Sequence, residues 1–159
     1  MVKYKFIPLL SSLLLFFGCK QEQKLENFTY RYSMESTGNF KVEFQLNPDT
    51  TYEIHQTNQY FDKFDGTYRP VNKKGKLTEE EYMKLRDLIQ AGKIDSMRDS
   101  YGFDENIKEN SIIYNLELEK EKHRKFVTIN MKTRHKFSDS FLQLIEHTNS
   151  LINNKIASG

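Results

Sequence analysis

Phe40-Lys41-Val42-Glu43-Phe44-Gln45-Leu46 decides the fold. Its apolar and polar side chains alternate strictly, the period of a strand with one buried and one wet face. Asn47-Pro48-Asp49 follows. Proline pre-sets φ there, and the Asn and Asp side chains bond back to their own backbone, so the chain turns. Tyr52 and Ile54 begin a third strand, with Glu53 and His55 outward. Upstream, Phe28, Tyr30, Tyr32 and Met34 alternate with Thr29, Arg31, Ser33 and Glu35, and Gly38 separates this strand from the next. Residues 28–56 therefore read as an antiparallel meander. Such a sheet can keep its polar face in water.

Two helices are expected to cover the apolar face. Thr78 opens the first. Its hydroxyl can accept from the Glu81 amide while Glu81 reaches back, a capping box, and Leu77 and Tyr82 occupy the hydrophobic-staple positions. Glu79, Glu80 and Glu81 complement the positive helix end. Because they are consecutive, their carboxylates point in different directions, which fits capping and not metal binding. Tyr82, Leu85, Leu88 and Ile89 form the apolar stripe, and Gly92 is placed to end the helix. Ser138 caps the second helix, with Phe137 and Leu142 as staple and Phe141, Leu144, Ile145, Thr148, Leu151 and Ile152 as stripe.

Between the helices, residues 94–110 read as a polar connector containing Met97, Tyr101 and Phe103. A hairpin follows. Ile112, Tyr114, Leu116 and Leu118 lie on one strand, a turn falls near Lys120–His123, and residues 124–131 form the partner strand. Residues 58–76 are the least regular part. A fourth strand is expected around residues 66–72, where Pro70 would confine it to an edge. Tyr60, Phe61, Phe64 and Tyr68, with Asp62 and Asp65 among them, read either as a binding loop or as rings closing one end of the core. The fold class is α+β: an antiparallel sheet of five or six strands with two helices packed on one face. A single domain is expected over 28–153, with 154–159 a frayed tail.

The N-terminus carries a different signal. Lys3 and Lys5 precede an apolar run, Phe6 to Phe17, interrupted only by Pro8, Ser11 and Ser12. A spanning helix needs about 20 apolar residues, so the run is too short. Its size and flanks fit the core of a secretory signal. It ends in Gly18-Cys19, and Cys19 is the single cysteine in the chain. These residues resemble a bacterial lipobox, although Phe16 stands where leucine is usual. The resemblance implies that residues 1–18 are a signal peptide cut after Gly18. It also implies that the Cys19 thiol takes a diacylglycerol and the new amine a fatty acyl chain such as palmitate. An ordinary signal peptide followed by an incidental thiol is the alternative. Two or more acyl chains give stable membrane attachment.

Residues 19–27 would then be the lipidated cysteine and a polar tether. Lys20-Gln21-Glu22 loosely resembles the charged signal that some Bacteroidota lipoproteins carry for export to the cell surface. The expected location is the envelope, at the outer membrane, on its periplasmic face or at the cell surface. Gly75-Lys76-Leu77-Thr78-Glu79-Glu80-Glu81, Tyr101-Gly102, the ribbon and the closing helix are similar to a group of small Bacteroidota lipoproteins of unknown function, over about residues 40–153. That resemblance implies an envelope protein of sheet and helices, and it carries over no catalytic residue.

Removing the leader leaves 141 residues with 22 basic and 22 acidic side chains. A nucleic-acid binder normally shows a basic surplus, so no nucleic-acid partner is expected. The length suits one domain with a substantial core. With Cys19 taken by lipid, no thiol remains for a disulfide or for catalysis. The histidines are His55, His123, His135 and His147, with no helical i,i+4 pair. Zinc needs three or four converging ligands. No G-x-S-x-G, S-x-x-K or glycine-rich phosphate loop occurs. Neither a catalytic residue nor a metal or cofactor is therefore expected. The leading expectation is a lipid-anchored, non-catalytic binding or interaction module with a protein or glycan partner in the envelope. It would act through its sheet face or its aromatic loop. An inhibitor of a secreted hydrolase, plugging its target with the 58–69 loop, is one alternative. An enzyme using convergent carboxylates is another.

Overall fold

In the computed structural model the described residues are 24–36, 39–58, 70–103 and 111–158. They form an α+β fold. The strands are β1 (Phe28–Ser36), β2 (Phe40–Leu46), β3 (Thr51–Asn58), β4 (Val71–Lys76), β5 (Ser100–Tyr101), β6 (Ile112–Lys120) and β7 (His123–Asn130). The helices are α1 (Glu79–Gly92) and α2 (Asp139–Ala157), with a 3₁₀ turn at Ile94–Ser96. The sheet order is β4-β3-β2-β1-β6-β7-β5. The meander of β1 to β4 is antiparallel, and Phe44 lies opposite Tyr32 on one side and Ile54 on the other. The β6–β7 hairpin joins the sheet through β1.

Two features differ from the expected sheet. Among the described residues there are seven strands, and β5 runs parallel to β7. β5 is two residues long, too short for any alternation to announce it. It is fixed instead by the Thr128 N–H donating to the Asp99 carbonyl (2.9 Å) and by burial of the Tyr101 ring against His135 and Phe137. β4 begins at Val71, directly after Pro70; residues 66–69 of the expected strand lie outside the described residues. Proline has no N–H to give a ladder, so pairing starts beyond it. The edge position is as expected, and Lys73, Lys74 and Lys76 on that edge discourage pairing with other chains.

Both helices lie on the same face. The Tyr30 hydroxyl meets Thr148 of α2 at 3.4 Å, Tyr32 donates to Asn149 at 2.7 Å, and Phe28 stacks on Tyr82 of α1 at 6.1 Å. The core joins the inner side chains of β1, β2, β3, β6 and β7 to Leu85, Ile89, Phe141, Leu144, Leu151 and Ile152. Thr78 and Glu81 form the capping box. Glu81 also pairs with Lys155 of α2 at 2.7 Å, so one carboxylate ties the start of α1 to the end of α2.

The helix stripes are shifted from the expected phase. Leu88 and Ile145 are only half-buried, whereas Arg86 is buried at 7% exposure. Gly92 does not supply the left-handed stop. Lys93 does, at φ 51°. Gly92 instead admits α2, because a Cβ there would sit 3.2 Å from Leu144 Cδ2. Leu142 is exposed, and Phe137 packs on Phe141 (5.0 Å) in its place. Residues 154–157 continue α2 and do not fray, since Lys155 is held by Glu81. At the other end Leu25, within the stretch read as tether, is buried, and its N–H donates to Gln90 Oε1 at 3.1 Å.

Candidate functional site

Strand alternation sends one set of side chains into the core and the other to the face opposite the helices. The register then arranges that outer set in rows. One row reads Lys74, Glu53, Gln45, Arg31, Glu117, Phe126 from β4 to β7. The next reads Asn72, His55, Glu43, Ser33, Asn115, Thr128. Most of these residues line an open concavity of about 570 Å³. That volume falls in the roughly 300–1,000 Å³ range of small-molecule sites.

The face is held in place by its own polar bonds. Glu117 is the most enclosed group on it, with its side chain 8% exposed. It accepts from Arg31 Nη1 and from Arg124 Nε, the latter at 2.6 Å. The Arg124 bond, with the Arg31 charge beside it, holds the Glu117 carboxyl below the usual carboxylate range, although burial pulls it up. The same bond pushes the Arg124 guanidinium up. Arg31 also donates to Gln45 (3.0 Å) and Glu119 (2.9 Å), and Gln45 donates to Asn47 (2.7 Å). In the second row, Thr128 donates to Asn115 (3.0 Å) and Asn115 to Ser33 (3.1 Å). His55 Nδ1 donates to Asn72 Oδ1. Lys74 pairs with Glu53 (2.8 Å), and Lys41 with Glu43 (2.7 Å). Every charged side chain of the two rows thus has an opposite partner.

Cys19 and Gly18 lie outside the described residues, as do Tyr60, Phe61, Phe64 and Tyr68 of the expected aromatic loop. The histidines are dispersed. His55 belongs to the polar face. His123 opens β7, 3.8 Å from Asp95. The His135 ring lies 4.6 Å from that of Tyr101 and 4.8 Å from that of Phe137. His147 on α2 has an enclosed Nε2 without a partner. Burial, and then the Lys84 charge, push its pKa down. Among the described residues no group of three or more His, Cys, Asp or Glu comes together as a metal site would need. Asp49, Glu81 and Glu117 are all shifted downward, whereas a carboxylic general acid needs an upward shift.

A second concavity, apolar and about 390 Å³, lies between α2 and the ends of β6 and β7. Ile129, Met131, Phe137, Leu142 and Ile145 line it, with Asn149 among them. Sequence reasoning found neither the Arg31–Glu117–Arg124 cluster nor the two polar rows as units. The polar half of each alternation was their signal, but which residues meet depends on register across β1, β6 and β7. No protein-family model and no curated protein matches the chain.

Proposed function

We propose that the protein is a lipid-anchored component of the bacterial envelope that binds a partner, without catalysis, on the polar face of its sheet. The anchor rests on the charge-free run ending in Gly18-Cys19. The binding reading rests on one observation: a wide concave face whose polar side chains are fixed by hydrogen bonds and ion pairs while both helices are spent covering the opposite face. Groups already ordered lose little entropy when a ligand arrives. The carboxylate with the strongest surroundings, Glu117, is tied to two guanidiniums and held ionised, a role suited to scaffolding. Among the described residues no helix is long and apolar enough to cross a membrane.

Both halves are tested in cells. Cys19→Ala is expected to move the protein from the membrane to the soluble fraction and to abolish acylation. A variant that still pellets with membranes and still carries acyl chains refutes the anchor. Ser33→Arg, placed at the centre of the face, is expected to abolish binding to isolated envelopes without changing the melting temperature. Unchanged binding refutes the site.

A further inference from the structure

The polar face carries chemistry suited to one ligand class. The charges of its two rows are paired, so those rows offer no free charge to an anionic or cationic partner. What remains unspent is neutral and hydrogen-bonding. With His55 Nδ1 donating to Asn72 Oδ1, the ring Nε2 is left unspent. The Asn72 amide beside it keeps its N–H groups. Asn115 uses one amide proton on Ser33, which leaves the other, and Ser33 keeps its own hydroxyl proton. Donors on Asn72, Ser33 and Asn115 thus share one row with the Glu43 carboxylate oxygens as acceptors between them, as a ligand rich in hydroxyl groups requires, since each hydroxyl both gives and accepts. At the β7 end Phe126 is 49% exposed on this same face. A phenyl ring kept in water beside polar groups provides a flat apolar platform. Six strands at about 4.8 Å spacing make each row about 24 Å long, enough for several linked rings and more than a single small molecule covers.

We propose that this face binds a neutral, linear glycan, with sugar hydroxyls on Asn72, His55, Ser33 and Asn115 and one ring's C–H face stacked on Phe126. The inference rests on the binding reading above and names its ligand. Charge complementarity selects the class. Within these two rows a polyanionic or polycationic chain would have to break Lys74–Glu53 or Lys41–Glu43 to reach a charge. A neutral chain would not.

Full-length lipidated protein in detergent micelles is titrated calorimetrically with short linear glucans, xylans, mannans and N-acetylglucosamine oligomers. Heparin and alginate fragments serve as charged comparisons. The expected result is saturable binding of at least one neutral series, little affected by salt. Phe126→Ala and Asn115→Ala should each weaken it about tenfold or more at unchanged melting temperature, and Phe126→Tyr should retain it. Binding of the anionic fragments alone, with steep salt dependence, overturns the proposal. So does binding unaffected by the Phe126 and Asn115 variants, or no binding to any neutral series. If no oligosaccharide binds but an envelope protein is captured and lost in Ser33→Arg, the glycan assignment falls and the binding module stands. If Ser33→Arg changes nothing with any envelope component, both fall.

Discussion

Arg31→Met separates the polar network from the packing around it. Methionine keeps an unbranched apolar stem in place of the arginine stem, so the change removes mainly the guanidinium. Three acceptors lose a donor: Gln45, Glu119 and Glu117. Gln45 keeps its bond to Asn47, and Glu119 is exposed enough for water to replace the arginine. Glu117 decides the magnitude, because its side chain is 8% exposed and Arg124 becomes its one remaining cation. A hydrogen bond to a charged group contributes about 1.5–3 kcal/mol. The larger loss of about 3–5 kcal/mol for an orphaned buried charge is avoided while Arg124 stays. Arg31 is itself 36% exposed, which places the expected loss near 2 kcal/mol.

The assay is urea unfolding followed by far-ultraviolet circular dichroism, since the chain has no tryptophan. The sign of the pH dependence follows from Glu117. Its folded carboxyl lies below the ordinary value. Its contribution is therefore fully present above the unfolded pKa of about 4.3 and is lost as pH falls through the folded pKa. The gap between wild type and Arg31→Met should be about 2 kcal/mol at neutral pH and should close in acid. A gap below about 0.5 kcal/mol at neutral pH, or one unchanged in acid, refutes the reasoning.

Other expectations concern the helices. Leu85→Ala should cost about 2–5 kcal/mol, and Leu88→Ala distinctly less, because Leu85 is fully buried and Leu88 is not; equal melting shifts would mean that the helix phase is wrong. Lys93→Gly should stabilise by about 0.5–1 kcal/mol, since Lys93 holds φ 51° where glycine meets no steric penalty. A loss of stability in thermal melts would show that the lysine side chain contributes more than the strain it brings.

The sequence by itself determined the α+β class, the strands β1, β2, β3, β6 and β7, both helices and their N-caps. Each rests on a local period or on a side chain reaching its own backbone within a few residues. Thr78–Glu81 and the turn at Asn47–Asp49 belong to that kind. Features set by distant neighbours were not legible. Lys93, not Gly92, takes the left-handed cap, and Leu144 of α2 packs over Gly92. Arg86 is buried, and Leu25 joins the core from what looked like tether, for the same kind of reason. β5 exists only because β7 offers it an edge. The polar rows are the clearest case. Arg31, Glu117 and Arg124 each looked like an ordinary solvated charge on an alternating strand. Their meeting required β6 to lie between β1 and β7 in one particular register, and a slip of one residue in any of these strands would have turned its side chain to the core face.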